Sequence, residues 1–172
     1  MSKAVMLSIR PKWCEKIVNG DKTIEVRKTR SKMNTPFKCY IYCTLQGCNE
    51  FFRVDLVGDV AKWRHGKWAD RKGNVIGEFT CDRIDRLAPA NEPYGIYDID
   101  DDYVLQTCLE NGALWDYGHG TPLYGWHISD LRIYDQPREL SEFTGLRNTR
   151  FGAAPYDIKR APQSWCYVQE ME

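Results

Sequence analysis

Within nine residues, Gly20-Asp21-Lys22-Thr23-Ile24-Glu25-Val26-Arg27-Lys28, the chain passes from helical to extended periodicity. Before this stretch, Pro11 stands where a helix can begin, Trp13, Ile17 and Val18 fall on one helical face, and Gly20 is suited to end the helix. From Thr23 onward polar and apolar residues alternate as in a half-buried strand. Ile24 and Val26 then point to the core, and Thr23, Glu25 and Arg27 share the other face. On one strand Glu25 and Arg27 would lie roughly 6.5–7 Å apart, close enough to hold one small planar ligand together. The plain alternative is a solvent-facing salt pair.

The other segments that bear on the fold are short and mostly extended. Ala4–Ile9 is rich in β-compatible residues, Cys39–Thr44 is a compact aromatic β run, and Val75–Cys81 is a strong strand in which Gly77 marks a bulge or a close approach. In the second of these Ile41 is expected in the core, with Tyr40 and Tyr42 sharing the other face. Residues 85–97 read as a connector. Residues 98–111 carry a helix signature: acids crowd the first turn, Val104, Leu105, Cys108 and Leu109 form an apolar stripe, and Gly112 follows as a stop. Residues 126–134 alternate as one strand, residues 138–143 suggest a short helix, and Ser164–Val168 reads as a closing strand. Many strands with few helices between them predict a curled or closed mixed sheet, not a doubly wound one.

A chain of 172 residues is long enough to bury a core as a single domain. Its formal net charge is zero, which gives the molecule as a whole no electrostatic bias toward nucleic acid or membrane. The charge is unevenly spread: residues 1–38 hold ten Lys or Arg against three acids, while residues 97–116 hold six acids and no Lys or Arg. Residues 45–74 read as a basic, tryptophan-containing insertion, with a strand at Phe51–Val57 and with Trp63 and Trp68 set among Lys62, Arg64, Lys67, Arg71 and Lys72. That mixture suits single-stranded nucleic acid, or an anchored surface insertion. No apolar run of about 18 residues is present, so a cytoplasmic protein without membrane spans is expected. The seven cysteines read as reduced thiols. Cys39, Cys43 and Cys48 cluster, but without a paired C-x-x-C, and the nearest histidine is His65. No metal or other cofactor is expected.

Leu7-Ser8-Ile9-Arg10-Pro11, a short helix, and then Gly20-x-Lys22-Thr23-Ile24-Glu25-x-Arg27 resemble the signature of the ASCH domain, a branch of the PUA-like superfamily. Val75-Ile76-Gly77-Glu78-Phe79 is similar to that family's central strand. The Tyr124–Ile128 run and the Pro162-x-Ser164-Trp165 ending look like those of small bacterial and prophage members. The resemblance implies an α+β fold with a PUA-like β-barrel of mixed strands flanked by a few short helices. It also implies a cleft that binds RNA or a nucleotide, lined by Lys22, Glu25 and Arg27, with Ser8 and Arg10 at its rim. Some relatives remove the acetyl group from N4-acetylcytidine with a lysine, a threonine and a glutamate, and a ribonuclease activity has been proposed for others. Lys22 matches that lysine, whereas Glu25 stands where the threonine falls.

Two functions follow as expectations. As an RNA- or modified-nucleotide-binding module, Glu25 would accept hydrogen bonds from a base edge, Arg27 and Lys22 would hold phosphate, and Trp126 would stack, with His127 either a further candidate near the ligand or, the plainer reading, a hydrogen-bonded structural histidine. As a hydrolase on a nucleoside amide or on RNA, a partly neutral Lys22 would act with Glu25 or Glu78. A third possibility is a protein-interaction module using Trp63 and Trp68.

Overall fold

The computed structural model describes residues 2–45, 71–90 and 95–171. The strand expected at Phe51–Val57, Cys48, His65 and both tryptophans of the basic insertion lie outside the described residues. The fold is mixed α+β, and the chain divides into two compact units. The first comprises Met1–Glu15, Lys38–Phe79 and Leu131–Glu172; the second comprises Lys16–Phe37 and Thr80–Asp130.

The first unit is built on a seven-stranded sheet. In chain order its strands are β1 (Lys3–Ile9), β3 (Phe37–Cys43), β4 (Val75–Cys81), β7 (Ser129–Arg138), β8 (Thr144–Thr149), β9 (Gly152–Asp157) and β10 (Trp165–Gln169). In space the order is β7-β4-β3-β1-β10-β8-β9, with no pairing among the described residues that closes it into a barrel. β1 runs parallel to β3 and antiparallel to β10. As an inner strand it is buried on both faces from Ala4 to Ile9, which explains why its alternation is weak in the sequence. Ala4, Met6, Tyr40, Tyr42, Val75, Phe143, Ile158 and Val168 form one core cluster. Tyr40 is wholly buried there, and its hydroxyl accepts a hydrogen bond from Met171 N at 2.8 Å. Gly77 is the close approach the sequence suggested: a Cβ at that position would lie 2.5 Å from the Arg132 carbonyl of β7. The expected short helix before Phe143 is a 3-10 turn, Leu140–Glu142, closed by a Glu139/Glu142 capping box.

The second unit carries a three-stranded antiparallel sheet, β2 (Ile24–Arg27), β6 (Leu123–His127) and β5 (Ile84–Leu87), with β6 in the middle. The α1 helix (Pro11–Val18) leads into it through Gly20, whose φ of 81° is the left-handed helix stop expected of it. Of the helix expected over 98–111, α2 (Asp101–Thr107) forms, and a second helix, α3 (Asn111–Gly118), begins where Gly112 was expected to act as a stop. Asp100 caps α2 by accepting from Tyr103 N, and Cys108 turns left-handed at φ 54° to end it. The expected apolar stripe fails with that break, since Leu105 is 71% exposed. Tyr103 and Leu109 instead pack against a core of Val26, Leu87, Tyr97, Leu114 and Leu123. The strand expected over 126–134 is likewise interrupted between β6 and β7.

Candidate functional site

Backbone contacts fix the entry to β2 from two sides. Lys22 N donates to the Lys16 carbonyl at the end of α1, and Thr23 N donates to the Gln106 carbonyl in the last turn of α2. This positions Lys22 beneath the C-terminus of α2, where backbone carbonyls lack helical partners. Its Nζ donates to the Thr107 carbonyl at 2.5 Å and lies 3.5 Å from Glu25 Oε2. On the other side of the carboxylate, Arg27 Nη2 is 3.0 Å from Glu25 Oε1. Lys22, Glu25 and Arg27 are 2%, 6% and 8% exposed, so a solvent-facing salt pair does not describe them. Burial pushes the Lys22 amine below its ordinary range. The neighbouring Glu25 carboxylate works in the opposite direction, and Arg27 adds a smaller downward push.

The strand register decides which other residues share the Glu25–Arg27 face, because residues directly opposite across a ladder point the same way. Glu25 is opposite Trp126, and Trp126 is opposite Ile84. Arg27 is opposite Tyr124, and Tyr124 is opposite Arg86. Trp126 is completely buried and meets Phe37 edge to face at a centroid distance of 5.8 Å. Its expected role as a base-stacking surface is therefore corrected: it is a core residue. Tyr124 is half-buried and Arg86 exposed. Neither side chain makes a hydrogen bond or ion pair to a described residue. Sequence reasoning did not select these two. The available signal was alternation within the β6 run, which places Tyr124 and Trp126 on one face and His127 on the other.

His127 is opposite Ile24 and so belongs to the reverse face. There its Nε2 lies 2.6 Å from Asp85 Oδ2 and accepts from Arg83 Nε at 3.3 Å, and Arg83 Nε lies 3.1 Å from Asp85 Oδ1. The Tyr103 ring stands edge-on to the imidazole, and its hydroxyl is pushed upward by burial and by Asp85. His127 is thus hydrogen-bonded to Asp85 on the face opposite to Glu25, which fits the structural histidine that was the plain alternative to a place near the ligand.

Ser8, Arg10 and Glu78 belong to the first unit. Ser8 is 8% exposed, and its hydroxyl donates to the Pro162 carbonyl at 2.5 Å. Arg10 is exposed, and its carbonyl accepts from Trp13 N and Cys14 N to start α1. Glu78 accepts a hydrogen bond from the Tyr134 hydroxyl at 2.6 Å and lies 3.7 Å from Lys38 Nζ. Cys39 and Cys43 are buried thiols of β3. Among the described residues no three His, Cys, Asp or Glu side chains are grouped to hold a metal ion, and no helix is long and apolar enough to cross a membrane.

No protein-family model and no curated protein matches the chain. Solved structures do. The crystal structure of ASCH from Zymomonas mobilis superposes with a TM-score of 0.60 at 18% identity, covering 97% of this chain and 88% of that one. The chain has the ASCH-domain fold. A tyrosine-to-phenylalanine variant of the same Zymomonas mobilis protein gives a TM-score of 0.53 at 18% identity, covering 98% of this chain and 92% of that one. In this ASCH fold the lysine, glutamate and arginine of the Gly20–Lys28 stretch form a continuous buried ion triad, cation to anion to cation.

Proposed function

We propose that the chain is a cytoplasmic binding module for RNA or a modified nucleotide, with the Glu25–Arg27 face of the three-stranded sheet as its ligand surface. The observation that carries this is the triad itself: three charged side chains, each under 9% exposed, meet on one small sheet. A buried ion pair contributes little net stability over apolar residues of the same size, because desolvation offsets most of the attraction. Ligand recognition gives such an arrangement a use. Lys22 is sealed and tied to Thr107, so it positions Glu25 and does not reach phosphate. Glu25 accepts from the amino or imino edge of a base, Tyr124 supplies the stacking surface, and Arg27 with Arg86 meets phosphate.

The test is binding of short single-stranded RNA as a function of salt. Saturable binding that weakens with salt is expected, and Glu25→Gln and Arg27→Met should each reduce affinity by about tenfold or more, as loss of a hydrogen bond to a charged group does. Unchanged binding in both variants would remove this face from the account.

The lowered pKa of Lys22 favours a second reading, hydrolysis of an acylated cytidine. Water adds to the acyl carbon, the C–N bond breaks, and the free amino base and a carboxylic acid leave. Here Lys22 and Glu25 would move the protons. Incubating the purified protein with N4-acylated cytidines across a pH series, alongside Lys22→Ala, separates the readings: Lys22-dependent turnover supports the hydrolase, and its absence leaves the binder.

A further inference from the structure

In the first unit, three neighbouring strands turn charged groups toward one small hollow. Lys38 comes from β3, Glu78 from β4, and Arg132, Tyr134 and Arg138 from β7, with Met171 closing the side; the enclosed space is about 110 Å³. That is room for a tetrahedral oxyanion or for about three waters. The charges are not balanced within it. Glu78 is held by the Tyr134 hydroxyl and by Lys38, and Lys38 is shared with Glu170 at 3.5 Å. The Arg138 guanidinium lies over the Tyr134 ring at 5.2 Å and, among the described residues, donates to the Met171 sulfur at 3.6 Å. Neither Arg132 nor Arg138 has a carboxylate partner among the described residues. Among the described residues the hollow is thus lined by two arginines, neither of them paired with Glu78, the carboxylate in the same lining.

We propose that this hollow is a phosphate-binding site, for inorganic phosphate or a terminal phosphate monoester. Guanidinium forks match the oxygens of such a group in pairs, and Lys38 adds a third positive charge. Glu78 sets the selectivity. A carboxylate repels a fully deprotonated oxyanion, but it accepts the proton of a P–OH group, which inorganic phosphate carries at neutral pH and a monoester carries mainly below its second pKa of about 6. Sulfate has no proton to offer. Tyr134, pushed upward by burial and by Glu78, stays protonated and keeps the carboxylate in place. The site shares no residue with the Lys22–Glu25–Arg27 face, and the proposal does not rest on what binds there.

The test uses the full chain labelled with nitrogen-15, following the arginine Nε–H signals while inorganic phosphate or sulfate is added at fixed ionic strength. Saturable shifts with phosphate are expected, with sulfate at least about tenfold weaker. Arg138→Met should weaken phosphate by a similar factor, and the exposed Arg132→Met provides the same check if Arg138→Met fails to fold. Glu78→Gln should abolish or invert the preference for phosphate over sulfate. At about pH 6, where a monoester keeps a P–OH proton in part, competition by a 5′-phosphorylated dinucleotide but not by its 5′-hydroxyl form would assign the ligand to RNA ends; no competition would assign it to the free ion, and either supports the site. Equal, unsaturable shifts with both anions, or phosphate binding unchanged in both arginine variants, would overturn it.

Discussion

Replacing Glu25 by Gln removes one charge and almost no volume, and leaves Lys22 and Arg27 buried without their shared anion. Contacts of 3.5 and 3.0 Å correspond to gross attractions of about 5 kcal/mol each at an effective dielectric constant of about 20. Desolvation offsets much of this, and removing one partner of a buried pair is expected to destabilise by about 3–5 kcal/mol. For a chain of 172 residues that lowers Tm by on the order of 10 °C. The loss should also depend on pH. The folded-state pKa of Lys22 lies below its unfolded value of 10.5, so between the two the unfolded chain binds more protons and stability rises with pH. Without Glu25 to support the charged amine, this window opens at lower pH, with a slope of up to about 1.4 kcal/mol per pH unit. Urea unfolding of the wild type, Glu25→Gln and the Lys22→Met/Glu25→Gln double variant from pH 6.5 to 9.5 measures both effects, the pH limits being roughly those over which lysine linkage is observable. The double variant should recover the part of the loss that comes from Lys22, with Arg27 still buried without Glu25, and should lose the added slope. A Glu25→Gln loss within about 0.5 kcal/mol, as at an ordinary surface position, would refute a buried triad.

Three further outcomes follow from the same unit. Gly125→Ala should destabilise by about 1–3 kcal/mol in chemical unfolding, because the added Cβ would fall 1.9 Å from the Tyr103 hydroxyl. Trp126→Ala should destabilise by about 3–5 kcal/mol, as loss of a fully buried aromatic does, measured in the same way. Tyr124→Leu should leave stability within about 0.5 kcal/mol while weakening RNA binding by about 1–3 kcal/mol in a titration, and Tyr124→Phe should retain most of the affinity.

Local chemistry made the first part of the fold legible. Pro11, Gly20 and the alternation from Thr23 to Arg27 each specify backbone geometry directly, and the structure places α1, the turn and β2 accordingly. Elements set by tertiary pairing were not legible. β8 and β9 at the sheet edge contain Gly145, Gly152, two alanines and Pro155, which carry little strand signal until β10 provides a partner. The expected helix ends early at Cys108, where no glycine or proline announced it, and the helix from Asn111 to Gly118 runs through the Gly112 read as a stop. At the site, the convergence of Glu25 and Arg27 followed from strand spacing, but the depth of burial did not, since neighbouring segments determine it. Choosing between Trp126 and Tyr124 required knowing which of them the core had taken, and the larger, more apolar tryptophan went inside.

Photo-crosslinking tests most directly whether the Glu25, Arg27 and Tyr124 face carries the ligand. Single-stranded RNA containing 4-thiouridine, irradiated with the full chain and mapped by mass spectrometry, should attach to the peptide that holds Tyr124, and Glu25→Gln should suppress the adduct. Adducts at the exposed Phe151 or elsewhere, with none at Tyr124 and no effect of Glu25→Gln, would contradict the account.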